Sequence, residues 1–213
     1  MRASNPREII QLEANRLGPT LHAGVSTALA GARMRNAGLQ HRKYPHLIPT
    51  HLRVELREYL ELNPLPSGWT MGGDARKMGQ LLFHHPELSM ELRFLKERRR
   101  TYPLGVPPAG NNKTRREVWT DVPFEGLHVA RPKGKPVQLL LLWDFLEGDL
   151  DRFTLRVVHT VAPGIYGKPV PCDLILDVRD GGEIYKRLEF TGSPDEEDLF
   201  AVEIDQEENE SGS

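Results

Sequence analysis

Apolar positions follow a helical period in the first part of the chain and a period of two in the last. Asn5 and Pro6 have the form of an N-cap and a first helical position, and Ile9, Ile10, Leu12 and Leu17 supply the apolar contacts of a first helix. Gly18-Pro19 predicts its end, because proline removes a backbone donor and clashes with the preceding turn. A second helix is expected from Thr20, with Leu21, Val25, Ala28, Leu29 and Ala32 on one face and Gly38 as its stop. The small residues between Gly24 and Ala32 permit close helix contact.

Thr50 predicts the N-cap of a further helix over His51–Leu62, whose buried stripe is Leu52, Leu56 and Tyr59/Leu60. Asp74 predicts the cap of a short helix carrying Met78, Leu81 and Leu82. His85-Pro86 then predicts the start of a longer one with Leu88, Leu92 and Leu95 as its stripe and Arg98-Arg99-Arg100 at its end.

Beyond a Pro/Gly-rich stretch the period changes. Phe153, Leu155, Val157 and His159 alternate with Thr154, Arg156, Val158 and Thr160, and the same alternation appears around Ile184–Phe190 and Phe200–Ile204. Val137–Trp143 is almost wholly apolar, as a central strand covered on both faces should be. The expected fold class is therefore α+β: an N-terminal helical part of four to five helices and a C-terminal, mostly antiparallel β sandwich or small barrel. The expected divisions are a basic helical domain over 1–100, a Pro/Gly-rich linker or long loop over 101–120, an acidic β-rich domain over 121–206 and a disordered acidic tail over 207–213.

Charge changes this picture. The formal net charge is only −2. Met1–Thr120, however, carries 19 Lys and Arg against 10 Asp and Glu, while Asp121–Ser213 carries 9 against 20, so that +9 faces −11. Such asymmetry points to a polyanion-binding part with an acidic partner segment, or to two parts that neutralise each other. The segment Asp74–Arg100, read as helix, tight turn and helix, has the outline of a helix-turn-helix. Ser89, Glu91, Arg93, Lys96 and Arg100 are its candidate groove contacts, and Lys77, Lys113, Arg115 and Arg116 its candidate phosphate contacts. Arg98 and Arg99 complete the set of basic residues expected to meet nucleic acid. Against this, Glu87, Glu91 and Glu97 would repel phosphates, and a basic helix end is ordinary capping.

Other chemistry is weaker. His41, His46 and His51 match no zinc spacing, and no cysteine lies near them. Asp144, Glu147, Asp149 and Asp151 lie between two expected strands. Asp144, Asp149 and Asp151 could hold a divalent cation for hydrolysis, but a solvated hairpin loop turning at Gly148 is the favoured reading. Gly72-Gly73-Asp74-Ala75-Arg76-Lys77 lacks the spacing and the hydroxyl of a phosphate loop. No cofactor is expected.

A single cysteine, Cys172, allows no intramolecular disulfide. With no apolar leader in the first twenty residues and no apolar run long enough to span a bilayer, the expectation is a cytoplasmic protein without membrane contact. The functional expectation is a non-enzymatic nucleic-acid-associated protein with a basic helical binding surface and an acidic β-rich protein-interaction part. The alternatives are a structural or assembly/adaptor subunit of a larger particle that uses its oppositely charged parts for subunit contacts, self-association included, and, more weakly, a metal-dependent hydrolase.

Overall fold

A computed structural model of the chain describes residues 5–40, 43–99, 101–124, 135–146 and 149–181. The first helix, α1, runs over Pro6–Arg35. Asn5 caps it by accepting from the Arg7 N–H at 3.1 Å, and Pro6 occupies the first turn. The expected break at Gly18-Pro19 does not occur, so the two helices predicted over this region are one. A tertiary contact outweighs the lost backbone bond. Gly18 lies so close to the end of the last described strand that a β-carbon there would stand 2.3 Å from the Arg179 carbonyl oxygen. One turn on, His22 Nε2 meets the Val178 carbonyl at 2.7 Å.

Helix α2 spans Leu47–Leu62 and buries Pro49, Leu52, Leu56 and Leu60. It starts a turn earlier than its sequence cap suggests, because proline is tolerated in a first turn, where its missing donor would have no intrahelical partner. The two helices cross where Gly24 has no side chain: a β-carbon there would meet Leu56 Cδ1 at 2.8 Å and Tyr59 Cδ1 at 2.9 Å.

Six strands come after the helices: β1 Thr70–Gly72, β2 Leu82–His85, β3 Met90–Lys96, β4 Val137–Leu146, β5 Asp149–Thr160 and β6 Cys172–Val178. They form one open sheet in sequence order, antiparallel throughout except that β3 and β4 run parallel. The connection between those two carries a 3-10 turn at Pro103–Gly105 and a short helix, α3, over Lys113–Trp119. These elements belong to a compact unit extending from Met1 to Glu183.

Two parts of the expected fold are thereby corrected: there are three α-helices rather than four to five among the described residues, and the sheet is mixed and open rather than a closed barrel or sandwich. The largest change is at Asp74–Arg100. Asp74 does form its local cap, accepting from the Arg76 N–H at 3.0 Å, but the turn closes at once on Met78 and Gly79, both at positive φ. The chain then enters a β-hairpin that turns at Pro86–Ser89 and pairs His85 with Met90. Leu88, Leu92 and Leu95 satisfy a helical period, yet Met90, Leu92 and Phe94 satisfy a period of two equally well. A short apolar run cannot separate the two. The hairpin wins because it buries Met90, Leu92 and Phe94 against the helices and leaves Leu88 exposed. No helix-turn-helix exists here.

The sheet has a core on each face. On one side Leu92, Phe94, Leu139, Leu141, Trp143, Leu155 and Val157 meet α1 and α2. On the other Leu140, Leu142 and Val158 are covered by Val106, Ala109, Trp119 and Val170. Strand β4 is buried on both faces, as its unbroken apolar run requires. The strands expected around 184–190 and 200–204, and the acidic tail, lie outside the described residues.

Candidate anion-binding surface

The face of the sheet away from α1 and α2 gathers positive charge. Alternation along β3 sends Met90, Leu92 and Phe94 to the helices and turns Arg93 to the opposite side. Helix α3 lies on that opposite side because Trp119, fully buried, fills the second core and donates its indole N–H to the Pro107 carbonyl at 2.9 Å. Asn112 caps the helix by accepting from the Arg115 N–H at 2.9 Å. One turn before Trp119, the Arg115 guanidinium sits 4.8 Å from the centre of the Trp119 ring, a cation–π contact.

Arg115 lies within Coulombic reach of both Arg93 and Arg98. Burial pushes the Arg115 guanidinium below its ordinary value, and the positive charges of Arg93 and Arg98 push it the same way. Burial also lowers Arg93, against a smaller opposing effect of Glu91. That carboxylate is engaged with His84 Nδ1 at 3.1 Å. The Nε donors of both Arg93 and Arg115 are enclosed with no hydrogen-bond partner. Buried guanidinium donors ordinarily meet a carboxylate, a phosphate or a carbonyl. Lys113 and Arg116 stand exposed on α3 and extend the patch.

The other basic residues expected to meet nucleic acid are placed elsewhere. Lys77 lies on the turn after Asp74, 3.8 Å from that carboxylate. Lys96 forms an ion pair with Asp144 and lies 5.0 Å over the Trp143 ring and 5.2 Å over the Phe145 ring. Arg99 is bound to Glu97 at 2.5 Å and to the Thr154 hydroxyl at 2.7 Å, and the Glu97 bond raises it. Arg100 lies outside the described residues. The structure therefore brings Arg93 and Arg98 within Coulombic reach of Arg115, and Lys113 and Arg116 stand exposed on the same helix as Arg115.

The carboxylates do not form a cation site among the described residues. Asp144 is held by Lys96, and Asp149 accepts from the Arg152 N–H at 3.2 Å. The side chain of Asp151 is outside what the structure describes. The histidines are dispersed: His51 is bonded to Asn36, His84 faces Glu91, and His85 is buried beside Glu13 and Trp69.

The alternation along β5 puts His159 on the apolar side but gives no sign of its partners. His159, fully buried, meets Asp173 through Nδ1 at 2.5 Å and Asp121 through Nε2 at 3.4 Å, with Phe124 stacked on its ring at 4.1 Å. The two carboxylates lie at opposite ring nitrogens, so they clamp the imidazole and share no common point with it for an ion. Sequence reasoning also missed the support of Arg115. The available signal was the spacing of four residues between Arg115 and Trp119, which puts them on one helix face.

Comparison with family models, with curated proteins and with solved structures finds no match for this chain. No helix among the described residues is long and apolar enough to cross a membrane.

Proposed function

We propose that the protein is a nucleic-acid-associated binding protein that takes up backbone phosphates on Arg93, Arg98 and Arg115, with Lys113 and Arg116 steering the approach. The observation that carries this reading is the enclosure of unpartnered Nε donors on Arg93 and Arg115 inside a group of like charges. Holding like charges close together costs free energy, and a phosphate bound at the accessible parts of these half-buried guanidiniums would offset that cost. The contact surface in this reading is a sheet face with a short helix, not a recognition helix.

The acidic excess fits a segment that recruits a protein partner. Residues 182–213 alone carry 11 Asp and Glu against 2 Lys and Arg, whereas 121–181 carries 9 against 7. Binding of fluorescein-labelled oligonucleotides, followed by anisotropy across a salt series, tests the reading. Affinity should fall steeply with salt, with a log–log slope lowered by about 0.7 to 0.9 for each phosphate contact removed. The triple change Arg93→Ala, Arg98→Ala and Arg115→Ala should abolish it. Absence of binding at low salt overturns the proposal.

A further inference from the structure

On the loop after β5 an aromatic ring stands in water. Tyr166 is 77% exposed, and its neighbour in the loop, Ile165, is 64% exposed. A single exposed apolar residue is ordinary, but two adjacent large side chains on one loop form a contiguous exposed patch, which marks candidate binding surface. The loop that presents it is built rather than loose. Ala109 donates to the Pro163 carbonyl at 2.9 Å, Val161 to that of Pro171 at 3.0 Å, and Lys168 to that of Ile165 at 3.1 Å. Gly164 and Gly167 take the positive φ values its turns require.

Tyr166 stands against Tyr102 at 5.6 Å between ring centres and 87° between planes, an edge-to-face contact that leaves at least one ring face free for a further stack. Tyr102 is itself buried, and its N–H donates to the Arg98 carbonyl at 2.9 Å, while the Arg98 N–H donates to the Gly105 carbonyl at 2.9 Å. Tyr166 thus rests on a ring whose backbone is bonded to that of Arg98.

Resting on the phosphate-binding reading above, we infer that the ligand is single-stranded nucleic acid, with a base stacked on Tyr166 and the adjoining phosphates held by Arg98, Arg115 and Arg93. An exposed aromatic beside a cationic track is the recurring chemistry of single-strand binding, because every base has a face to stack while its backbone needs charge. Duplex is the poorer fit. Reading a major groove takes a free helix or ribbon, and here α1 and α2 are committed to the sheet and α3 has only seven residues.

The test compares a labelled dT 12-mer, a 12-base-pair duplex and vesicles of phosphatidylcholine with phosphatidylserine, using the full chain and its variants. The single strand should bind more tightly than the duplex, and vesicles should not retain the protein. Tyr166→Ala should weaken single-strand binding by roughly 5- to 100-fold with an unchanged salt slope, and Tyr166→Trp should restore it. Unaltered thermal unfolding of Tyr166→Ala keeps the comparison free of folding effects. If Tyr166→Ala binds as the parent does while the arginine variants lose binding, the stacking inference fails and phosphate binding stands. Tighter binding to duplex has the same consequence. Binding to neither nucleic acid sinks both, and retention on anionic vesicles without nucleic-acid binding replaces both with a lipid-surface role.

Discussion

Arg115 holds its guanidinium carbon 4.8 Å from the centre of the Trp119 ring, and that ring is the largest fully buried side chain beneath α3. The pair joins the second core to the cationic surface. The two residues should therefore separate in their effects. Trp119→Ala removes a buried ring and its bond to Pro107, and should cost about 3–5 kcal/mol of stability in urea unfolding. Arg115→Met keeps an apolar stem over the ring and removes a charge repelled by Arg93 and Arg98. It should leave stability within about 1 kcal/mol of the parent while weakening nucleic-acid binding.

Glu97 is a second junction, fully enclosed between Arg156 at 2.6 Å and Arg99 at 2.5 Å. Arg156 also donates to the Leu104 carbonyl at 2.7 Å, so this carboxylate fixes the 3-10 turn to β5. Glu97→Gln leaves the mostly buried Arg156 without its counterion, and the expected loss is about 3 kcal/mol in denaturant titration.

Gly18→Ala sets helix propensity against close approach. In an open helix the change would stabilise by about 1 kcal/mol. Here the new methyl would stand 2.3 Å from the Arg179 carbonyl oxygen, a backbone atom with little room to withdraw. Overpacking of this kind costs about 1–3 kcal/mol, so the net sign should be destabilising, read as a lowered Tm.

Cys172 has its thiol pushed up from 9.0 to about 11, first by burial and then by Asp173. The native state holds this proton more tightly than the unfolded chain does. The associated stability is whole below pH 9 and is lost as pH rises toward about 11, and Cys172→Ala should remove that part of the pH dependence. At neutral pH the native thiol should react with iodoacetamide far more slowly than the urea-unfolded thiol, as mass spectrometry would record.

The local signals in the sequence are strongest where one residue type can do only one thing. Asn5-Pro6 starts α1, the stripe Leu52, Leu56 and Leu60 is the buried face of α2, and Val137–Trp143 is the doubly covered strand. The alternation from Phe153 to Thr160 is β5. Legibility failed at Leu88–Leu95, where both periods were present, and at Pro19, where a breaker was retained inside a helix. Strand β6 was also missed: Leu174 and Leu176 lie toward the first core while Ile175 and Asp177 alternate with them, a pattern too short to stand out beside Pro171.

The sequence by itself determined the helix start at Asn5, the buried stripe, the central strand and the charge imbalance, because caps, periods and formal charge are properties of neighbouring residues. Only the tertiary structure decided that Leu82–Lys96 is a hairpin, that β3 runs parallel to β4, and that Arg115 comes within Coulombic reach of Arg93 and Arg98. Those outcomes depend on which distant surfaces are available to bury an apolar face. Arg93 and Arg115, 22 positions apart in the chain, come together only because Phe94 is buried on one side of the sheet and Trp119 on the other.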